Sequence, residues 1–281
     1  MKKTVIFGSG QIGSMVGRLL GTEYRIICYA DNNVKRHGEL LNGYPICSPE
    51  ASIKENPDCV CIGVLDEERA SQMETQLREM GFTGELLRPN MLKAFDTRVG
   101  MMRLLAEQLE ERHICGDVAE VGVFRGEFAA LINQAFPSRK LHLFDTFSGF
   151  TKEDIDVEQE FSLSRAKVGD FSETTEDAVR DIMSYPQNVV LHKGFFPDTF
   201  AGCEKDTYAF LSLDVDLYAP TAAALPLFWP RMSTGGVIIV HDYNSTQFTG
   251  ARKAVQEFCS KENICPIPIC DLHGSVLLMK F

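Results

Sequence analysis

One pattern, used twice, constrains this chain more than any other feature. It is a short apolar strand, a glycine turn, a helix, and a second strand that ends on an acid. The first copy runs Thr4-Val5-Ile6-Phe7, then Gly8-Ser9-Gly10-Gln11-Ile12-Gly13, then a helix through Met15, Val16, Leu19 and Leu20. Its second strand, Arg25 to Ala30, ends on Asp31. The other copy opens at Asp117-Val118-Ala119-Glu120-Val121, turns through Gly122-Val123-Phe124-Arg125-Gly126, and continues as a helix through Ala129, Leu131 and Ile132. Its second strand, Leu141-His142-Leu143-Phe144, ends on Asp145. Glycines permit the tight turn and a close approach of backbone to ligand, and an acid about twenty residues on can accept from a ribose.

Apolar runs of strand length alternating with helical spacing give an α/β chain. With 281 residues there is material for two modest cores. The expected division is a small Rossmann-like domain over 1–88, a linker and helix over 89–116, and a second Rossmann-like domain over 117–281. In the linker, 97–112 reads as an amphipathic helix with Met101, Leu104, Leu105 and Leu109 on one side, packing beside the second sheet and doing no chemistry. Two final runs, 264–269 and 275–279, suggest an antiparallel edge hairpin.

The net charge of -11 argues against nucleic acid and anionic membranes as partners. No run approaches the roughly 20 apolar residues of a membrane span, and the amino terminus enters a glycine turn too soon for a signal peptide. Nine cysteines without paired zinc-type spacing read as reduced core residues, so a cytoplasmic location is expected.

The candidate chemistry sits at strand ends. Tyr208-Ala209-Phe210-Leu211-Ser212-Leu213 is a buried parallel strand that delivers Asp214 and Asp216. Gly235-Gly236-Val237-Ile238-Ile239-Val240 delivers His241 and Asp242 in the same way. Ligands of open α/β sheets bind beyond such carboxyl ends, and acids gathered there suit a divalent cation. The alternative is that these acids merely cap the helices that follow. In the second glycine unit, the spacing to Asp145 occurs both in dinucleotide dehydrogenases and in S-adenosylmethionine enzymes. Glu120, two residues before Gly122, favours the latter, since such an acid helps hold the methionine end of that cofactor. S-adenosylmethionine is thus expected over Gly122 to Gly126, with Asp145 on the ribose and Gly194 and Phe195 bordering the adenine.

Five blocks carry a resemblance: Glu120 to Gly126, Asp145 to Phe150, Lys193 to Thr199, Leu213 to Tyr218, and Gly235 to Tyr243. In that order they resemble the macrocin O-methyltransferase family, over roughly residues 97–260. The resemblance implies a class I methyltransferase fold with a seven-stranded, mostly parallel sheet. It further implies transfer of a methyl group from S-adenosylmethionine to a sugar or glycoside hydroxyl, assisted by magnesium. Asp214, His241 and Asp242 are then the metal ligands. Asp216, pointing past the metal, is the general base. Two positions depart from the pattern: Phe124 replaces a frequent middle glycine, and His241 stands where the family often has an aspartate. Imidazole suits magnesium less well than a carboxylate does.

The first unit resembles the small Rossmann-like domain that precedes sugar-modifying transferases of surface-polysaccharide pathways, through Gly8 to Gly13, Asp31-Asn32-Asn33 and Gly43-Tyr44-Pro45-Ile46. Its glycine turn reads either as a pocket for a nucleotide or nucleotide-sugar, without productive NAD(P) binding, or as glycines that serve only the tight turn and close helix packing, and a homo-oligomer is expected. A polar insertion over 151–186 reads as a lid or as a surface excursion. A nucleotide-sugar scaffold with an inactive methyltransferase half, and a nicotinamide oxidoreductase, are the competing readings. The carboxylate cluster argues against the first, and the missing Tyr-x-x-x-Lys set against the second.

Overall fold

The computed structural model describes residues 1–91 and 95–281 as two compact units. The first comprises Met1–Asp96 with Cys270–His273, the second Thr97–Ile269 with Gly274–Phe281. The helix Thr97–Glu111 belongs to the second unit and packs beside its sheet, as expected. The reason is burial: Met102, Leu105, Ala106 and Leu109 enter the same core as Val118 and Phe210. That face is spaced i, i+3, i+4, i+7, as a helix on a sheet requires. Leu104, expected inward, is 63% exposed.

In the first unit β1 (Lys2–Phe7), β2 (Tyr24–Ala30), β3 (Leu40–Leu41), β4 (Tyr44–Cys47), β5 (Cys59–Ile62) and β6 (Glu85–Leu87) form one sheet in the order β3-β4-β2-β1-β5-β6. All its pairs are parallel except β3 with β4. Val5, Ile6 and Phe7 are buried, and the glycine turn follows them directly. A Cβ at Gly13 would collide with the carbonyl oxygen of Gly8, so the helix Gln11–Leu19 sits against the strand end only because residue 13 has no side chain.

The second unit has β7 (Asp117–Val121), β8 (Leu141–Asp145), β9 (Val189–Lys193), β10 (Tyr208–Leu213), β11 (Met232–Val240), β12 (Ile267–Pro268) and β13 (Val276–Met279). Their order is β12-β13-β11-β10-β7-β8-β9. The pairs from β11 to β9 are parallel, while β13 runs antiparallel to both β11 and β12, which makes the sheet mixed. Strands buried on both faces explain the continuous apolar runs in the sequence. One face carries Val121, Phe144, Leu211 and Val240 under Phe228 and Phe258; the other carries Val118, Leu143, Phe210 and Ile239 under Met102 and Ile132.

The insertion carries the helices Lys152–Glu160 and Glu176–Asp181, each started by a threonine whose hydroxyl accepts from a backbone amide. Cys28, Cys59, Cys61, Cys203 and Cys259 are buried as expected of core residues, whereas Cys115 and Cys265 are exposed. Among the described residues no helix is long and apolar enough to cross a membrane.

Candidate active site

The parallel strands of the second unit extend past their ends in a row of backbone bonds. Gly122 donates to the Phe144 carbonyl (2.9 Å), Asp214 to Val121 (2.9 Å), His241 to Leu213 (2.9 Å), and Gly194 to Asp145 (2.9 Å). This brings Gly122, Asp145, Gly194, Asp214 and His241 to one end of one sheet. Gly122 is forced to be glycine twice over: its φ is +83°, and a Cβ there would strike the Asp214 carbonyl oxygen.

Asp145 closes the glycine turn from the neighbouring strand. Its Oδ2 accepts from the amides of Val123 (2.7 Å) and Phe124 (2.9 Å), and its Oδ1 from Phe147 (2.7 Å). Any ribose hydroxyl would have to share oxygens already holding the turn. The first unit repeats this arrangement: Asp31 accepts from both the amide and the hydroxyl of Ser9, and from the Asn33 amide (2.8 Å).

Glu120 is 1% exposed. Its Oε1 accepts from Ser212 Oγ (3.0 Å), while Oε2 meets no partner among the described residues. Burial, opposed by Arg98 and reinforced by Asp214, pushes its carboxyl up to about 8. A buried carboxylate oxygen without a donor fits the ammonium of a bound amino acid moiety.

Asp214, Asp216 and Asp242 each place a carboxylate oxygen within 4.8 Å of the others. Helix capping does not account for this convergence. Asp216 lies within the cluster, as its place at the end of the same strand predicts. Its φ is +58° and the Leu217 amide donates back to the Val215 carbonyl, so a three-residue turn folds the chain over at this residue. Asp242 is left-handed too, at φ +53°. Two aspartates in this region store strain on the order of 1–3 kcal/mol each, a pattern typical of functional sites.

His241 Nδ1 stands 2.9 Å from Asp214 Oδ1 and 2.7 Å from Asp242 Oδ2. Burial lowers its pKa, but Asp214 more than reverses this and raises it to about 10. Burial pushes Asp214 up, while His241 and Arg98 outweigh it and hold the carboxyl at about 2. Burial and the charges of Asp214 and Asp242 raise Asp216 well above the carboxylate range. The hard oxygen donors of Asp214, Asp216 and Asp242 fit a divalent ion.

Sequence reasoning missed Arg98. Its Nη1 donates to Asp214 Oδ2 (2.9 Å) and its Nη2 to Ser212 Oγ (3.0 Å), while the guanidinium lies 3.8 Å over the Phe128 ring. Ser212 passes the contact on to Glu120, so one chain of bonds joins the Glu120 carboxyl to the aspartate cluster. Only proximity in the fold reveals it.

The insertion spans both regions. Phe171 packs edge-on to Phe124 of the glycine turn (5.3 Å) and to Phe150 (5.2 Å), which in turn meets Phe248 (6.3 Å) beyond β11. Glu158, buried, accepts from the Tyr218 amide (2.8 Å) just after Asp216.

A family model described as macrocin O-methyltransferase matches residues 65–277. The tetracenomycin-C 4'-O-methyltransferase of Streptomyces olivaceus, which acts on a dimethoxyrhamnosyl substrate, is 28% identical over 64% of this chain and 73% of its own. Mycinamicin III 3''-O-methyltransferase of Micromonospora griseorubida is 30% identical over 60% of this chain and 72% of its own. Among solved structures, the O-methyltransferase NovP aligns with a TM-score of 0.53 at 25% identity, covering 66% of this chain and 79% of its own. The calicheamicin methyltransferase CalS11 aligns at 0.54 with 19% identity, over 77% of this chain and 94% of its own, a likeness of fold.

Proposed function

The chain belongs to the macrocin O-methyltransferase family and is an O-methyltransferase, and we propose that its acceptor is a sugar or glycoside hydroxyl methylated at the carboxylate cluster of β10 and β11. The observation that carries this reading is the convergence of Asp214, Asp216 and Asp242 at the sheet end that also presents the glycine turn. S-adenosylmethionine, when bound, supplies an electrophilic methyl group, and a divalent cation lowers the pKa of a coordinated hydroxyl.

The chain's own residues do the rest. Gly122 to Gly126 offer backbone to the cofactor, with Asp145 at the ribose, Gly194 and Phe195 at the adenine, and Glu120 at the amino-acid end. Asp214 and Asp242 would hold the cation, and His241, facing both, would be the third donor once its Nδ1 has lost its proton. Asp216 takes the hydroxyl proton, because its left-handed turn sets it beside the ligands on the strand's exit. Arg98 fixes the Asp214 carboxylate in one orientation. Alignment of hydroxyl and methyl carbon supplies roughly 7–11 kcal/mol of the barrier reduction. The Phe124, Phe171, Phe150 and Phe248 rings support an acceptor that presents an apolar face along with its sugar hydroxyls. The first unit is a proposed binding site for a nucleotide-sugar.

The test is release of S-adenosylhomocysteine with a panel of nucleotide deoxysugars and rhamnosyl glycosides. Turnover should appear with one class, vanish in Asp214→Asn, and vanish in EDTA. Turnover that persists in EDTA would remove the cation from the reading and leave the methyl transfer.

A further inference from the structure

On the opposite flank of the same sheet, two histidines and a cysteine meet outside the five sequence blocks. His142 of β8 and His192 of β9 point to the same sheet face, and Cys203 arrives from the turn after residues Asp198–Phe200. One ligand atom from each lies within 4.8 Å of the other two. His142 Nδ1 is 3.0 Å from His192 Nε2, and Cys203 Sγ is 3.9 Å from that same nitrogen. Tetrahedral zinc with ordinary bond lengths sets nitrogen–nitrogen at roughly 3.3 Å and nitrogen–sulfur at roughly 3.6 Å. The two observed distances lie within a few tenths of an ångström of those values, one below and one above.

We propose that His142, His192 and Cys203 form a zinc site that ties the edge strand β9 and the turn at Cys203 to β8.

Three further observations support it. His142 Nε2 faces Asp117 Oδ2 at 3.4 Å, which directs the other nitrogen's lone pair toward His192 and Cys203. A carboxylate behind a histidine in this way is the usual means of fixing tautomer and ring orientation at a metal. His142 and Cys203 are buried while His192 is half-buried at the sheet edge, so the site is dry yet has an entrance. Tyr208 Oη is buried beside Cys203 and makes no hydrogen bond of good geometry among the described residues, which leaves it available to an ion-bound water in the fourth position. Two nitrogens and a thiolate select zinc and its neighbours over magnesium, and only this site offers a thiolate whose charge-transfer band marks the ion it holds.

The protons balance simply. In the metal-free protein one hydrogen lies between His142 and His192, and it moves to His192 Nδ1 by tautomerisation when an ion enters. The thiol of Cys203 loses one proton to solvent. No oxidant or reductant is needed.

The test is titration of the full-length protein, stripped of metal, with Co²⁺ and then Zn²⁺. One Co²⁺ per chain should give a thiolate charge-transfer band, and zinc should displace it and raise the melting temperature. The band and the stabilisation should vanish in Cys203→Ser and persist in the double variant Asp214→Asn/Asp242→Asn. Asp117→Asn should weaken affinity roughly 10–100-fold. If Cys203→Ser fails to fold, His192→Asn at the sheet edge is read in its place. A missing band in the wild type, or a band of equal strength in Cys203→Ser or His192→Asn, overturns the proposal and leaves a hydrogen-bonded histidine pair.

Discussion

Arg98 Nη1 binds Asp214 Oδ2 at 2.9 Å, across 116 residues of chain and from the first turn of a helix, so the orientation of a candidate metal ligand depends on a residue outside both motif strands. The pair is 8% and 24% exposed, so solvent screens it little. Arg98 also holds Ser212, which holds Glu120, so the two halves of the site share this one guanidinium.

Arg98→Lys keeps the charge and loses the fork. It should fold, retain cofactor binding, and lower activity or metal affinity roughly 10–100-fold, as partners behind metal ligands commonly do. Activation curves against Mg²⁺ read the effect directly. An unchanged curve would reduce Arg98 to a packing role.

Asp216 sits in a strained turn among like charges, an arrangement stability alone would not select. Asp216→Asn removes the proton-accepting carboxyl with little change of shape. Turnover should fall by about 10²–10⁴ while S-adenosylmethionine still binds, and the melting temperature in EDTA should rise or stay level. A large loss of stability with modest loss of turnover would assign Asp216 a structural role instead.

The Glu120 carboxyl makes apoprotein stability depend on pH. Its folded pKa is raised, to about 8 from an ordinary 4.5. The stability it contributes is therefore complete below about pH 4.5 and is lost as pH rises through about 8. Urea midpoints measured without cofactor should decline over this window on that account, and Glu120→Gln should flatten the decline. If an ammonium group pairs with Oε2, cofactor binding at neutral pH releases a proton, detectable as a buffer-dependent heat in calorimetry. Glu120→Gln should abolish that heat and weaken the affinity. Buffer-independent heats in the wild type would place the cofactor's amino group elsewhere.

Much of this was legible because parallel strands buried on both faces appear as unbroken apolar runs whose ends are marked by the first acid. Asp145, Asp214 and Asp242 were located in that way. Their convergence was not fully legible, since the turn at Asp216 comes from a positive φ that no residue type announces outside glycine. Arg98 and the set His142, His192 and Cys203 were hidden for a different reason. Each brings together residues far apart in sequence, so no local spacing marks them, and strand register alone sets both histidines on one face. The edge hairpin was visible from two apolar runs around a glycine turn, and it appears as β12 and β13.

His241 is the departure that decides which metal the site prefers. Its ring touches both Asp214 and Asp242, so it lies where a further carboxylate would give a wholly oxygen-lined site. Magnesium favours oxygen ligands in near-ideal octahedra, while manganese and cobalt accept imidazole nitrogen readily. The wild type should therefore reach full activity at lower Mn²⁺ or Co²⁺ than Mg²⁺. His241→Asp should reverse that order, lowering the Mg²⁺ required by about tenfold or more, the scale on which a ligand change alters affinity. The measurement is methyl transfer against concentration of each ion for both proteins. His241→Ala supplies the control: it removes the nitrogen without adding an oxygen, so it should weaken every ion. Equal Mg²⁺ curves for the wild type, the aspartate and the alanine variants would mean that residue 241 lies outside the coordination sphere, and that Asp216, already within the cluster, is the third ligand.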